Sequence, residues 1–204
     1  MNALLKKDFM ITRSTLVYMT LLAAIFGIAF GQGAPSATCI ITVMMLSAIV
    51  GTSFTYDEAH QWNIFAVSSG IDRRSIVRMK FTLGGIVVVA GLCIGLAMYL
   101  LRTAIDGTIP VFDDIPNAML FAASFGIAMI SVNCLINYVF DSVKAQMTST
   151  AMMVVFMSAV VALSTLGMAS NIPWMGSFMV LVMALLLFAA SYTVSINRFL
   201  RKDL

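Results

Sequence analysis

FTLGGIVVVAGLCIGLAMYLL, residues 81–101, carries no charged side chain over 21 positions. As a helix such a run measures about 30 Å, the thickness of the hydrocarbon core of a bilayer. Working outward, five further runs have the same character. They lie at about Thr15–Phe30, Ala37–Thr55, Asn117–Phe140, Met147–Met168 and Trp174–Ile196, which with Phe81–Leu101 makes six expected transmembrane helices. Pro35, Pro110, Pro116 and Pro173 fall in or beside the connections, where a residue without an amide N–H does least harm. The first run also fits a cleaved leader, with Lys6, Lys7 and Arg13 before it. The second run follows at once and leaves no exported domain to release, so a retained span is expected.

Composition agrees. The chain is 61% apolar and 10% charged, with a mean hydropathy of +1.00. Soluble domains carry roughly 25% charge. One soluble core of this length cannot hide so much apolar surface, whereas lipid solvates it. The fold class expected is therefore an all-α membrane protein, a single transmembrane domain over residues 1–204.

The placement of charge supplies an orientation. Lys6, Lys7 and Arg13 precede the first span, and Arg73, Arg74, Arg78 and Lys80 lie between the second and third. Lys144 lies between the fourth and fifth, and Arg198, Arg201 and Lys202 follow the sixth. Of the twelve Lys and Arg, only Arg102 falls on the other side, in a loop that also holds Asp106, Asp113 and Asp114. Basic residues stay cytoplasmic, so both termini are expected in the cytoplasm of a cell-membrane protein. The net charge of +3 is thus a topology signal and gives no reason to expect nucleic-acid binding.

The longest cytoplasmic connection, residues 56–80, reads YDEAHQWNIFAVSSGIDRRSIVRMK. Thr55 and Glu58 have capping-box spacing, which would put Asp57 and Glu58 in the first turn of a short helix. Trp62, Phe65 and Ala66 then form one apolar face. Ser68-Ser69-Gly70 breaks that helix, and Asp72 can cap a second one carrying Arg73, Arg74, Arg78 and Lys80 into the third span. The expected shape is a helical elbow. It serves either as an interfacial hairpin, with Trp62 at the headgroups, or as a docking surface for a cytoplasmic partner. The acidic pair favours the partner, because carboxylates gain nothing from an anionic leaflet. Residues 1–14 read as an amphipathic helix on the membrane surface, with Leu4, Leu5, Phe9 and Met10 apolar and Lys6, Lys7 and Asp8 polar. Asp141 and Lys144, in FDSVKAQ at 140–146, form either an ordinary turn or a second contact with the same partner.

These residues resemble the permease subunits of ABC-2-type transporters, in particular small six-helix permeases that work with a separate ATPase. The likeness is carried by LLKKDF at 4–9, by Asp57-Glu58, Trp62, Asp72-Arg73-Arg74 and Lys80 in that order, and by FDSVKAQ. The family turn usually has a leucine–proline step. This chain has Val67-Ser68-Ser69-Gly70-Ile71 instead, where Gly70 can supply an unusual backbone angle. The resemblance implies two permease subunits, identical or paralogous, above two ABC ATPase subunits. ATP and Mg²⁺ would be held by the ATPases and no cofactor by this chain. Asp57, Glu58, Trp62, Phe65, Arg73, Arg74, Asp141 and Lys144 would form the coupling surface. The implied cargo is exported: an amphipathic peptide, a lipid-like molecule or a drug.

The remaining residues were weighed for other chemistry. The sequence contains no G-x-x-x-x-G-K-[ST] phosphate loop. The lone His60 offers neither a nucleophile–base pair nor a metal site, and Cys39, Cys93 and Cys134 lie singly in apolar runs, so no enzyme is expected. No ionisable residue lies near a span centre, which argues against an ion-coupled carrier. Asn133 and Asn137 share a face of the fourth span and either line a pathway or bond across helices. Gly27-x-x-x-Gly31 and Gly91-x-x-x-Gly95 are spaced for close helix contact. A receptor or immunity protein that binds a peptide without transporting it is the alternative from a different class.

Overall fold

The computed structural model describes residues 2–30, 35–108, 112–140 and 174–201, with isolated positions between 144 and 154. Six α-helices account for the long segments: α1 (Asn2–Phe30), α2 (Pro35–Ala59), α3 (Trp62–Ser68), α4 (Arg73–Asp106), α5 (Ile115–Val139) and α6 (Trp174–Arg201). All but α3 are long and apolar enough to cross a membrane, giving five candidate spans among the described residues. The expected span at Met147–Met168 falls almost wholly outside them.

The punctuation follows from local chemistry. Pro35 opens α2, where a missing amide is harmless. Gly107, at φ 65°, closes α4. A short 3₁₀ turn, Phe112–Asp114, leads into α5, which takes Pro116 in its first turn.

α2 is the centre of the bundle and packs against α1, α4 and α5, while α6 packs chiefly on α5. Two-thirds of the apolar window of α2 is buried, against 11% for α1 and 17% for α6. The outer helices therefore present Val17, Tyr18, Leu21 and Ile25 and Phe178, Met179, Met183 and Leu186 to their surroundings. In lipid such faces carry no penalty. The main core joins Val43, Val50 and Phe54 of α2, Ile76, Val77, Phe81 and Val88 of α4, and Ile130, Cys134 and Tyr138 of α5. Phe81 meets Phe188 and Tyr192 of α6 edge-on, with centroids 5.0 and 5.3 Å apart.

Small residues set the α2–α4 distance. A Cβ on Gly91 would lie 2.9 Å from the Val43 Cα, and one on Gly95 2.9 Å from the Cys39 Cα, so no side chain can yield. The glycine pair thus makes a backbone-to-backbone contact. At Gly27 the same test meets side chains at ordinary contact distance, the Thr38 and Thr42 methyls at 3.4–3.5 Å and Met98 Cβ at 4.0 Å, and Gly31 lies outside the described residues. Gly91→Leu should overpack this seam and lower stability in detergent by about 1–3 kcal/mol. Gly85→Leu, whose Cβ meets nothing within 4 Å, should leave the melting temperature nearly unchanged.

Two sequence expectations are corrected. Residues 2–14 are not a separate surface helix, since α1 runs unbroken from Asn2 to Phe30. Phe9 and Met10 are exposed, as a lipid-facing side requires, but Asp8, expected on the polar face, is buried. The acidic pair, likewise, does not begin a new helix. α2 continues to Ala59, so Asp57 and Glu58 sit in its last turn, and Thr55 donates back to the Gly51 carbonyl instead of capping. A helix already propagating adds residues more easily than a new one nucleates. The break comes at Gln61, a left-handed residue at φ 50°.

Candidate functional site

The start of α1 and the end of α6 lie at the same end of the bundle, each in contact with the start of α4. Lys7 near the start of α1 reaches Asp57 near the end of α2, and Lys80 in the first turns of α4 reaches both Asp8 and Asp57. Arg73, at the first position of α4, donates to the carbonyls of Phe199 and Leu200 at the end of α6, at 3.1 and 3.2 Å. The Gly107–Asp114 connection lies at the opposite end of α4. The α2–α4 link therefore shares its side with both described chain ends.

That link is built in three steps. The Gln61 amide bonds to the Glu58 carbonyl, turning the chain out of α2. α3 follows for seven residues. Gly70, at φ 83°, and Asp72, in extended conformation, then turn it into α4. Asp72 stands at the cap position, but its carbonyl does the work by accepting the Ser75 amide, and its side chain makes no cap bond. Without the family's proline, Gly70 supplies the turn.

Beneath α3 lies a buried charge cluster. The Lys80 ammonium, 1% exposed, is 2.9 Å from Asp8 Oδ2 and 2.5 Å from Asp57 Oδ2. It also donates to Ser53 Oγ, which in turn donates to Asp8 Oδ2 at 3.0 Å. Lys7 is 3.0 Å from Asp8 Oδ1 and pairs with Asp57 Oδ1. Two carboxylates and two ammoniums thus cancel, which is the condition for keeping charge buried. Lys7 also sits over the Trp62 ring, 4.2 Å from its centroid, and Lys80 lies 5.1 Å from the centroid of Phe54.

The structure sorts the expected coupling residues. Asp57 is buried in the cluster and Trp62 is half-buried under Lys7. Arg73 is engaged with α6. Glu58, Phe65, Arg74 and Lys144 are exposed. Asp141 lies outside the described residues. The single apolar face expected for α3 is split: Ala66 is fully buried, whereas Phe65 is 59% and Ile64 47% exposed. Asn133 is buried on α5, with Gly51 of α2 close to its Oδ1, while Asn137 donates to the Asn133 carbonyl and lines a cavity. That cavity, about 310 Å³, opens between α2, α3, α5 and α6, with Phe54, Glu58, Ile64, Tyr138 and Phe199 in its wall.

Asp8 and Lys80 were missed as site residues. The available signal was their position: Lys80 borders the charge-free run at 81–101, and Asp8 lies a few residues before the first run, on the same predicted side. Charge is buried in the ends of three candidate spans, though not at their centres.

Arg73→Gln should lose the charged cap on α6 and lower stability by about 1 kcal/mol. Hydrogen exchange at the last amides of α6 should rise selectively, which checks the assignment.

A family model described as "ABC-2 family transporter protein" matches residues 3–199. No curated protein and no solved structure matches significantly.

Proposed function

The chain belongs to the ABC-2 family of transporter proteins and is a multi-pass membrane subunit of an ABC transporter; from that premise we propose that it is the permease of an exporter energised by separate ATPase subunits docking on α3. The observation that supports this reading is the exposed pair Ile64 and Phe65 on a short helix at the bundle end, flanked by exposed Glu58, Asp72 and Arg74. Two large exposed apolar side chains in a segment bounded by exposed charges of both signs suit a protein groove. The carboxylates make a poorer match to an anionic leaflet.

On this reading both termini and α3 face the cytoplasm of the cell membrane, as the one-sided Lys and Arg require. ATP and Mg²⁺ sit on the ATPases. A second copy or a paralogue completes the pathway, and the cargo is an amphipathic peptide, a lipid-like molecule or a drug. Lys144, with Asp141, is proposed as a second contact.

Affinity purification of the tagged full chain from its own membranes tests the proposal. An ABC ATPase is expected in the eluate, and ATP-dependent export in inverted vesicles. Transport driven by an ion gradient without ATP would establish the carrier instead. Saturable peptide binding with no ATPase and no transport would establish the receptor.

A further inference from the structure

We propose that Lys7 is a positioning residue that fastens the docking helix α3 to the buried Asp8–Lys80–Asp57 cluster, so that a displacement of α3 is passed to α1 and α4 together. This rests on the reading of α3 as the docking helix, but its first test does not need the ATPase.

The cluster members differ in what they hold. Asp8, Asp57 and Lys80 are each at most 2% exposed and tie α1, α2 and α4 to one another. Lys7 is 17% exposed and is the member that also touches α3. It contacts Asp8 on its own helix, Asp57 on α2 and the Trp62 ring on α3. The Trp62 ring is held by its face: its Nε1 makes no hydrogen bond among the described residues. Elsewhere α3 is held by apolar contacts alone: Ala66 is fully buried, and Val67, with Trp62, packs partly buried against the main core. The covalent chain turns into and out of it at Gln61 and Gly70, both at positive φ. A seven-residue helix between two such turns does not hold its position by itself. The ammonium–indole contact, backed by two carboxylates, sets that position and joins it to α1.

A movement of α3 therefore has two possible results. If Lys7 stays with Trp62, α1 must move with α3, and Asp8 draws Lys80 and α4 along. If Lys7 lets go, α3 moves alone and the spans stay behind. A desolvated cation–π contact is worth about 1–2 kcal/mol, roughly a tenfold shift in the balance between the two.

The experiment places spin labels at two exposed sites, Ser14→Cys on α1 and Ser68→Cys at the end of α3, in the full chain with Cys93→Ala. The chain is held in nanodiscs without ATPase. The Lys7 parent should give one narrow distance. Lys7→Gln should enlarge a displaced population about tenfold, and Lys7→Arg should restore the parent distribution. Trp62→Leu should act like Lys7→Gln, and Trp62→Phe, which keeps a ring face, should lie between. The tryptophan pair leaves the buried charges intact and so decides the matter if Lys7→Gln folds poorly. A Trp62→Leu distribution superimposable on the parent would overturn the proposal. With the co-purified ATPase added, Lys7→Gln should bind it normally yet lose about tenfold in export per ATP hydrolysed. Unchanged export would equally overturn the linkage. Loss of ATPase binding by the parent itself would overturn only the docking reading.

Discussion

Lys80→Met should remove about 3–5 kcal/mol of stability and most of the folded protein. The substitution keeps the length and volume of the side chain, so no cavity opens. What it removes is the ammonium that sits between Asp8 and Asp57 and bonds to Ser53. Lys7 alone then faces two carboxylates that are 1% and 2% exposed. An uncompensated buried charge is the expensive outcome, more so than the loss of the attraction itself. Adding Asp8→Asn should recover much of the loss, because Lys7 and Asp57 then remain as a neutral pair. The double-mutant cycle should show a coupling energy between about 0.5 and 3 kcal/mol. Thermal unfolding in detergent, followed by size-exclusion of the folded fraction, measures all three variants. Strict additivity would mean that Lys80 and Asp8 do not compensate each other.

Phe65→Ala combined with Ile64→Ala should weaken ATPase binding at least about thirtyfold while leaving the bundle intact. Both side chains are about half exposed, so their loss leaves little core behind. At an interface, an aromatic anchor of this kind is worth at least about 2 kcal/mol, which sets the magnitude. Trp62 is the less informative choice although it is the more conspicuous residue, because it supports Lys7 and its truncation would confuse docking with positioning. The double variant should therefore insert, melt like the parent and fail to retain the ATPase on a column. Retention at parental yield would move the docking surface away from α3, and the interfacial-hairpin reading would then account for the exposed pair.

How much could be read in advance depends on the kind of residue. The apolar runs were legible because twenty or so uncharged residues have few alternatives to a membrane helix. Gly91 and Gly95 were legible as a seam because spacing alone puts them on one face. The break at Ser68–Gly70 and the start of α4 after Asp72 followed from turn chemistry. The start of α3 was misplaced, because capping-box spacing at Thr55 and Glu58 cannot reveal that α2 is still propagating there. Trp62, Phe65 and Ala66 read as one face because periodicity defines a stripe without saying which neighbour covers each part of it. The N-terminal segment reads as a separate surface helix because Lys6, Lys7 and Asp8 look like a polar face for water, when Asp8 turns inward to Lys80 instead.

The sequence by itself determined the membrane, the approximate spans and the sidedness of charge. These depend on properties summed along the chain, namely hydropathy over a window and the count of Lys and Arg in each connection. Only the tertiary structure decided which of the charges turn inward. Lys7 and Asp57 are 50 residues apart and Asp8 and Lys80 are 72 apart. Their pairing follows from the rotation of α1, α2 and α4 about their axes, which close packing at the glycine seam and around α2 sets. A charge at the edge of a span looks the same in sequence whether it faces water or a partner; the packed neighbour makes the difference.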